Sequence, residues 1–172
     1  MRTFQSFLKF LQLAVFFVTA SAAQAEQLAG PAGDVVLVIK GQMTQTNTPD
    51  GAAFDLDMLR KIGAVTFSTS TPWTDGVQTF TGVPLSQLLI HLGATPASLT
   101  VTAINEYQIE VPASDAVDDG PILAWEQSGK LLTKRAKGPL WLIYPFDIKT
   151  EYQTEQVQSR AVWQVVQIDL KP

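Results

Sequence analysis

The feature that most constrains this chain is its rhythm. Short apolar runs follow one another, each broken within a few residues by a turn signal, and few segments keep a helical stripe. "DVVLVIKG" (34–41), "AVTFSTST" (64–71), "SLTVTAIN" (98–105), "YQIEVP" (107–112), "GPLWLIYPFD" (138–147) and "AVWQVVQIDL" (161–170) are rich in β-branched and aromatic residues and bounded by Gly, Pro, Asn or Asp. Such runs are the signature of strands. The first reads as buried on both faces, the second alternates through Val65, Phe67 and Thr69, and the last has Val162, Val166, Ile168 and Leu170 as its mostly apolar set. "PILAWEQSGKLL" (121–132) reads as a hairpin turning near Ser128-Gly129.

Two stretches depart from this rhythm. "FDLDMLRKIG" (54–63) carries Asp55 as an N-cap and Gly63 as a C-cap around a short helix. "PLSQLLIHLGA" (84–94) places Pro84 in the first turn of a helix and Leu85, Leu88, Leu89 and Leu92 on one stripe. "QTFTGV" (78–83) is a short extended piece, and "IKTEYQTEQVQSR" (148–160) is polar without a period, a loop with one helical turn. The class is α+β, a mostly β mixed sheet with a few short helices.

The N-terminus has its own pattern: Arg2 and Lys9, an apolar run from Phe10 to Val18, then small residues ending Ala23-Gln24-Ala25. This is the pattern of a secretory signal peptide cleaved after Ala25, leaving residues 26–172 as one domain with no membrane insertion after cleavage. The expected location is the periplasm. Losing Arg2 and Lys9 takes the formal charge from −4 to about −6, which makes nucleic acid a poor partner. Cysteine is absent and histidine occurs once, so thiolate chemistry and a multi-histidine zinc site are excluded. His91 sits where a helix C-terminus favours an imidazolium.

No G-x-S-x-G elbow, phosphate-binding glycine loop or H-E-x-x-H motif occurs. "ASDAVDDG" (113–120) reads as a solvated turn, and Lys130, Lys134, Arg135 and Lys137 read as an exposed basic edge. Aromatic and polar residues gather instead at strand ends: Trp73 in a loop, Asn105 and Tyr107 at a strand junction, Tyr144 and Asp147 at one strand end, Arg160 and Trp163 at the start of the last strand. Strand ends converge on one rim of a sheet, where small-ligand pockets form. Aromatic faces stack on a flat ring while carboxylate, amide and guanidinium groups meet its edge.

In order along the chain, "FTGVPLSQLLIHLGA", "VTAINEYQIEVPASD", "ILAWEQSGKLLTKRAKGPLWLIYP" and "SRAVWQVVQIDL" resemble the molybdopterin-binding domain of the sulfite-oxidase fold over about residues 34–170. Redox members of that family place a cysteine thiolate on molybdenum just before the G-V-P-L helix. Here Ser68 to Thr71 stand in that segment, and a hydroxyl is a poor substitute for a soft thiolate. The T-P-W-T-D-G loop, the Y-P-x-D strand end and the R-x-V-W-Q motif resemble a small, secreted, cysteine-free branch of pterin-binding proteins. The resemblance implies a receptor for a pterin, reduced and without molybdenum, that is not an enzyme. It also implies relay of pterin status to the periplasmic region of a membrane-bound diguanylate cyclase or phosphodiesterase, and so regulation of cyclic-di-GMP. The alternative is a molybdopterin-dependent oxidoreductase or its subunit, with the basic hairpin meeting the cofactor's phosphate. In the receptor reading Trp73 stacks on the pterin, Asp147 takes its donor edge and Arg160 its oxo group, while Asn105 and Tyr107 form the wall.

Overall fold

A computed structural model describes residues 28–172; the leader expected at residues 1–25 lies outside the described residues. The strands are β1 (Leu37–Lys40), β2 (Gly51–Phe54), β3 (Val65–Ser70), β4 (Val77–Pro84), β5 (Ser98–Ala103), β6 (Gln108–Pro112), β7 (Ile122–Gln127), β8 (Lys130–Leu131), β9 (Leu140–Ile143) and β10 (Trp163–Lys171). Three helices accompany them, α1 (Leu56–Ile62), α2 (Leu85–Leu92) and α3 (Glu155–Arg160), with 3₁₀ turns at Ala113–Asp115 and Thr150–Gln153. The class is α+β, as the strand rhythm implies.

All the strands join one sheet in the order β2-β1-β10-β9-β7-β4-β3, with β5 and β6 branching from β10 and β8 from β7. Strand β10 runs parallel to β1 and antiparallel to β5 and β9, which makes the sheet mixed. It serves three neighbours because its register shifts twice, between Trp163 and Val165 against β9 and between Val165 and Gln167 against β5. Each bulge adds a residue, so the side chains do not alternate through the whole strand. Val165, Ile168 and Leu170 are buried and Val166 is only half-buried.

Helix α2 buries Leu85, Leu88, Leu89 and Leu92 against the sheet, about 2 kcal/mol each by the area they remove from water. It ends at Gly93, whose φ of 58° is left-handed; the Gly93 and Ala94 amides donate to the Ile90 and Leu89 carbonyls. Pro84 stands just before the helix as its N-cap rather than inside its first turn. The β7–β8 hairpin turns through Ser128 and Gly129, both at positive φ, as a two-residue turn that follows strand twist requires.

Three elements differ from the sequence reading. Strand β1 buries Leu37 and Ile39 but exposes Lys40, so it is covered mainly on one face. Phe54 ends a fully buried strand, β2, and does not belong to the following helix; Gly51-Ala52-Ala53 are too small to show a strand pattern. The polar segment before β10 contains a true helix, α3. Its signal is capping rather than a stripe: Thr154 Oγ1 accepts from the Val157 amide at 3.3 Å, Glu155 lies in the first turn and Arg160 in the last.

Asp55 ties the start of the described chain to α1. Its Oδ2 accepts from the Ala32 and Gly33 amides and its Oδ1 from the Met58 amide, all at 2.8 Å. The Gly33 bond, then the Met58 bond, hold the carboxyl below the usual 3.8. With the folded value depressed, its contribution is complete above 3.8 and is lost as pH falls through the folded value. Asp55→Asn is expected to lower Tm by several degrees at pH 7. The gap to the unaltered protein should close toward pH 2 in thermal melts followed by circular dichroism.

Candidate functional site

The loop after β3 is stitched by hydroxyls. Thr71 Oγ1 accepts from the Trp73 amide at 3.1 Å and lies 2.8 Å from Thr74 Oγ1. Pro72 and this short hydroxyl turn fold Trp73 back over the sheet, where its ring meets Trp141, Phe146 and Trp163 edge-on at centroid distances of 6.1, 6.2 and 5.8 Å. Edge-to-face contacts of this kind add about 0.5–1.5 kcal/mol each beyond burial. Trp73 is thus half embedded in the core.

Trp163 comes from the opposite side. At the first bulge of β10, Gln164 takes a φ of 58°. Its amide donates to the Lys137 carbonyl at 3.0 Å, its Nε2 to the Lys134 carbonyl at 2.6 Å, and its own carbonyl accepts from the Ile104 amide at 2.9 Å. With the bulge residue held on three sides, Trp163 just before it pairs with Trp141 of β9 and keeps its ring 38% exposed. At the β5–β6 turn Glu106 is also left-handed, and Asn105 Oδ1 accepts from the Tyr107 amide at 3.2 Å. That turn exposes Tyr107 beside Trp163.

These parts enclose a cavity of about 330 Å³ whose walls include Trp73, Asn105, Tyr107, Gln158, Ser159 and Trp163. It is at the small end of the range for ligand pockets, mostly apolar, with three aromatic rings and a few amide and hydroxyl groups. A second hollow of about 370 Å³ adjoins it across Gln158 and is lined by Ser70, Thr71, Asp147 and Gln153 among others.

Four of the seven residues singled out from the sequence, Trp73, Asn105, Tyr107 and Trp163, line one cavity. The other three lie apart. Tyr144 is buried and donates from its hydroxyl to Asp115 Oδ2 at 2.7 Å; burial first, then that carboxylate, push its ionisation far above the ordinary range. Arg160 points its guanidinium at the same Asp115 oxygen, at 2.8 Å. Asp147 belongs to the second hollow. Its carboxylate accepts from the Ser70 hydroxyl and amide, both at 2.6 Å, and these bonds hold it below the usual carboxylate range.

Asp115, Gln158 and Ser159 are the members that the sequence did not reveal. "ASDAVDDG" is not simply a solvated turn: Asp115 and Arg160 are only 14% and 15% exposed at their side chains. Their pairing spans 45 residues of sequence, and no local pattern announces it. It fixes α3, which has no buried residue of its own and supplies Gln158 and Ser159 to the cavity wall.

The four hydroxyls of residues 68–71 are engaged locally. Ser68 pairs with Thr79, Thr69 contacts the Ser70 carbonyl and the Asp147 amide, Ser70 binds Asp147, and Thr71 binds Thr74 and Trp73. Among the described residues no three His, Cys, Asp or Glu side chains gather as a metal site. Residues 68–71 therefore do not supply the thiolate that a protein-ligated molybdenum takes.

In comparisons with known proteins, the family model for the oxidoreductase molybdopterin binding domain matches residues 56–151, more than half of the chain. The match includes Trp73, Asn105, Tyr107 and Asp115 and stops short of α3 and Trp163. A search of curated protein sequences found no significant match.

The Asp115 cluster is tested by stability. Asp115→Ala strands a largely desolvated guanidinium and is expected to cost about 3 kcal/mol in urea unfolding. Tyr144→Phe removes one neutral donor and should cost about 1 kcal/mol. A loss below 1 kcal/mol for Asp115→Ala is the outcome against a structural ion pair.

Proposed function

The chain belongs to the oxidoreductase molybdopterin-binding domain family, and from that premise we propose that it is a non-catalytic receptor for a pterin. The observation that carries this reading is the cavity between Trp73, Tyr107 and Trp163, aromatic on its walls and bordered by the amides of Asn105 and Gln158. A pterin is a flat heterocycle whose edge alternates donors and acceptors, and carboxamides offer both. Support for leaving molybdenum out comes from the donor set, which has no sulfur on any cysteine and only hydroxyls already committed to neighbours. In this reading Asp147 faces the adjoining hollow rather than the ring. Arg160 acts on the site through Asp115 and α3.

The same proposal places the protein in the periplasm, exported by its leader. There its pterin-loaded form is read by the periplasmic region of a membrane-bound enzyme that makes or degrades cyclic-di-GMP. This part rests on the resemblance of the T-P-W-T-D-G, Y-P-x-D and R-x-V-W-Q motifs.

A second reading, a molybdopterin-dependent oxidoreductase or a subunit of one, is favoured by the family itself and by one local observation. The basic hairpin abuts the aromatic cluster: Gln164 bonds to the Lys134 and Lys137 carbonyls, and Lys137 Nζ lies 5.3 Å from the Trp141 ring centre. A phosphate attached to a pterin in the cavity would find cations on that side.

Protein purified from a periplasmic extract should release a fluorescent pterin on denaturation, with molybdenum by elemental analysis far below one atom per chain. Stoichiometric molybdenum would establish the second reading. Trp163→Ala should weaken pterin binding about tenfold, equivalent to about 1.4 kcal/mol, by calorimetric titration. Trp73→Ala is the poorer probe, since its contacts with Trp141 and Phe146 make it a stability variant as well. Unchanged affinity in Trp163→Ala would move the site elsewhere.

A further inference from the structure

The sheet ends in strands that are protected in different ways, with one exception. The outer edge of β2 is closed by Asn47, whose side chain donates to the Ala53 carbonyl and accepts from its amide, both at 2.8 Å, as a neighbouring strand would. Strand β8 has only two residues and carries Lys130, while β6 carries Glu110 and ends in Pro112. Short length, charge and proline are the usual guards of an open edge. Strand β3, Val-Thr-Phe-Ser-Thr-Ser, has none of them and pairs only with β4.

The direction of its backbone groups is settled by Ser70, whose amide bonds Asp147 rather than β4. Amide and carbonyl groups alternate between the two edges of a strand, so those of Thr66 and Ser68 face outward with Ser70. Among the described residues no backbone bond outside β3 and β4 meets them. Asp147 caps the edge at one end and leaves two residues open.

The two faces beside this edge differ. On one, Thr66 pairs with Thr81 at 2.9 Å and Ser68 with Thr79 at 3.1 Å, a ladder of hydroxyls. On the other, Val65, Phe67, Pro145 and Ile148 line a hollow of about 110 Å³, with Val65 41% and Ile148 58% exposed. Acidic groups stand at both ends: Asp119 lines the hollow beside Val65, and Asp147 sits at Ser70.

We propose that the outer edge of β3 is a docking edge for an extended segment of a partner protein, apolar at alternate positions and basic at its ends, which adds to the sheet as a further strand. The four outward groups of Thr66 and Ser68 supply main-chain bonds, and the hollow takes the apolar side chains. The acidic ends select the charge of the flanks and argue against a second copy of this acidic chain as the occupant. The inference is independent of what the aromatic cavity binds.

The test uses an end-blocked, fluorescein-labelled peptide, KVTVTVK, followed by anisotropy against the full mature chain. Saturable binding is expected, weakened by added salt and at least tenfold weaker in Ser68→Pro. Proline is tolerated there because the lost amide bonds nothing in the fold. Glu110→Ala, on the opposite edge, should bind as the unaltered protein does. A fully N-methylated peptide should not bind, a result that needs no folded variant. Absence of binding, equal binding by Ser68→Pro, or retained binding of the methylated peptide overturns the proposal. So does a dimer in sedimentation that Ser68→Pro makes monomeric, since the edge then belongs to a second copy.

Discussion

The site depends on one irregularity in the last strand. Trp163 pairs with Trp141 in the ladder with β9, and the extra residue at Gln164 breaks the register directly after it, where the Trp163 ring lines the cavity with Trp73 and Tyr107. A left-handed glutamine is costly, of order 1 kcal/mol, and three hydrogen bonds to Lys134, Lys137 and Ile104 hold it there. Those bonds also join the basic hairpin and the β5–β6 turn to the same point. The cavity, the hairpin and the Asn105–Tyr107 turn therefore form one mechanical unit around a single backbone distortion.

Opposite that unit stands a wall held by charge as well as by packing. Helix α3 has no fully buried residue; Val157, partly buried, is its apolar contact with the core. The Arg160–Asp115 pair, with Tyr144 completing the carboxylate's bonds, adds the charged hold. A pair of this kind gains less net stability than apolar packing of equal size, but it is specific in direction. The consequence is a cavity with one side set by the aromatic cluster, at Trp73 and Trp163, and the other held by one ion pair and one partly buried valine.

How much of this was legible in the sequence follows the range of the forces. Asp55 and Gly63 around α1, the leucine stripe of α2 and the Ser128-Gly129 turn are local signals, and each appears where the sequence indicates. The aromatic residues at strand ends were also visible, because a tryptophan after a proline in a loop is conspicuous; three of them, with Asn105, share one cavity. Strand β2 was hidden because alanine and glycine carry no period, and α3 because its polar residues carry no stripe. Asp115 was hidden more deeply. Its partners Tyr144 and Arg160 are distant along the chain, and a carboxylate in "ASDAVDDG" looks like its solvated neighbours until the fold brings a guanidinium to it.

The tryptophan cluster has an optical consequence. Trp73, Trp141 and Trp163 lie within 6.2 Å of one another, centre to centre, at steep mutual angles. Indoles at that spacing exchange excitation faster than they emit, and their transitions couple into a dissymmetric near-ultraviolet signal. Light absorbed by the fully buried Trp141 is thereby shared with Trp73 and Trp163, so the emission of an indole outside the cavity is coupled to the two that line it.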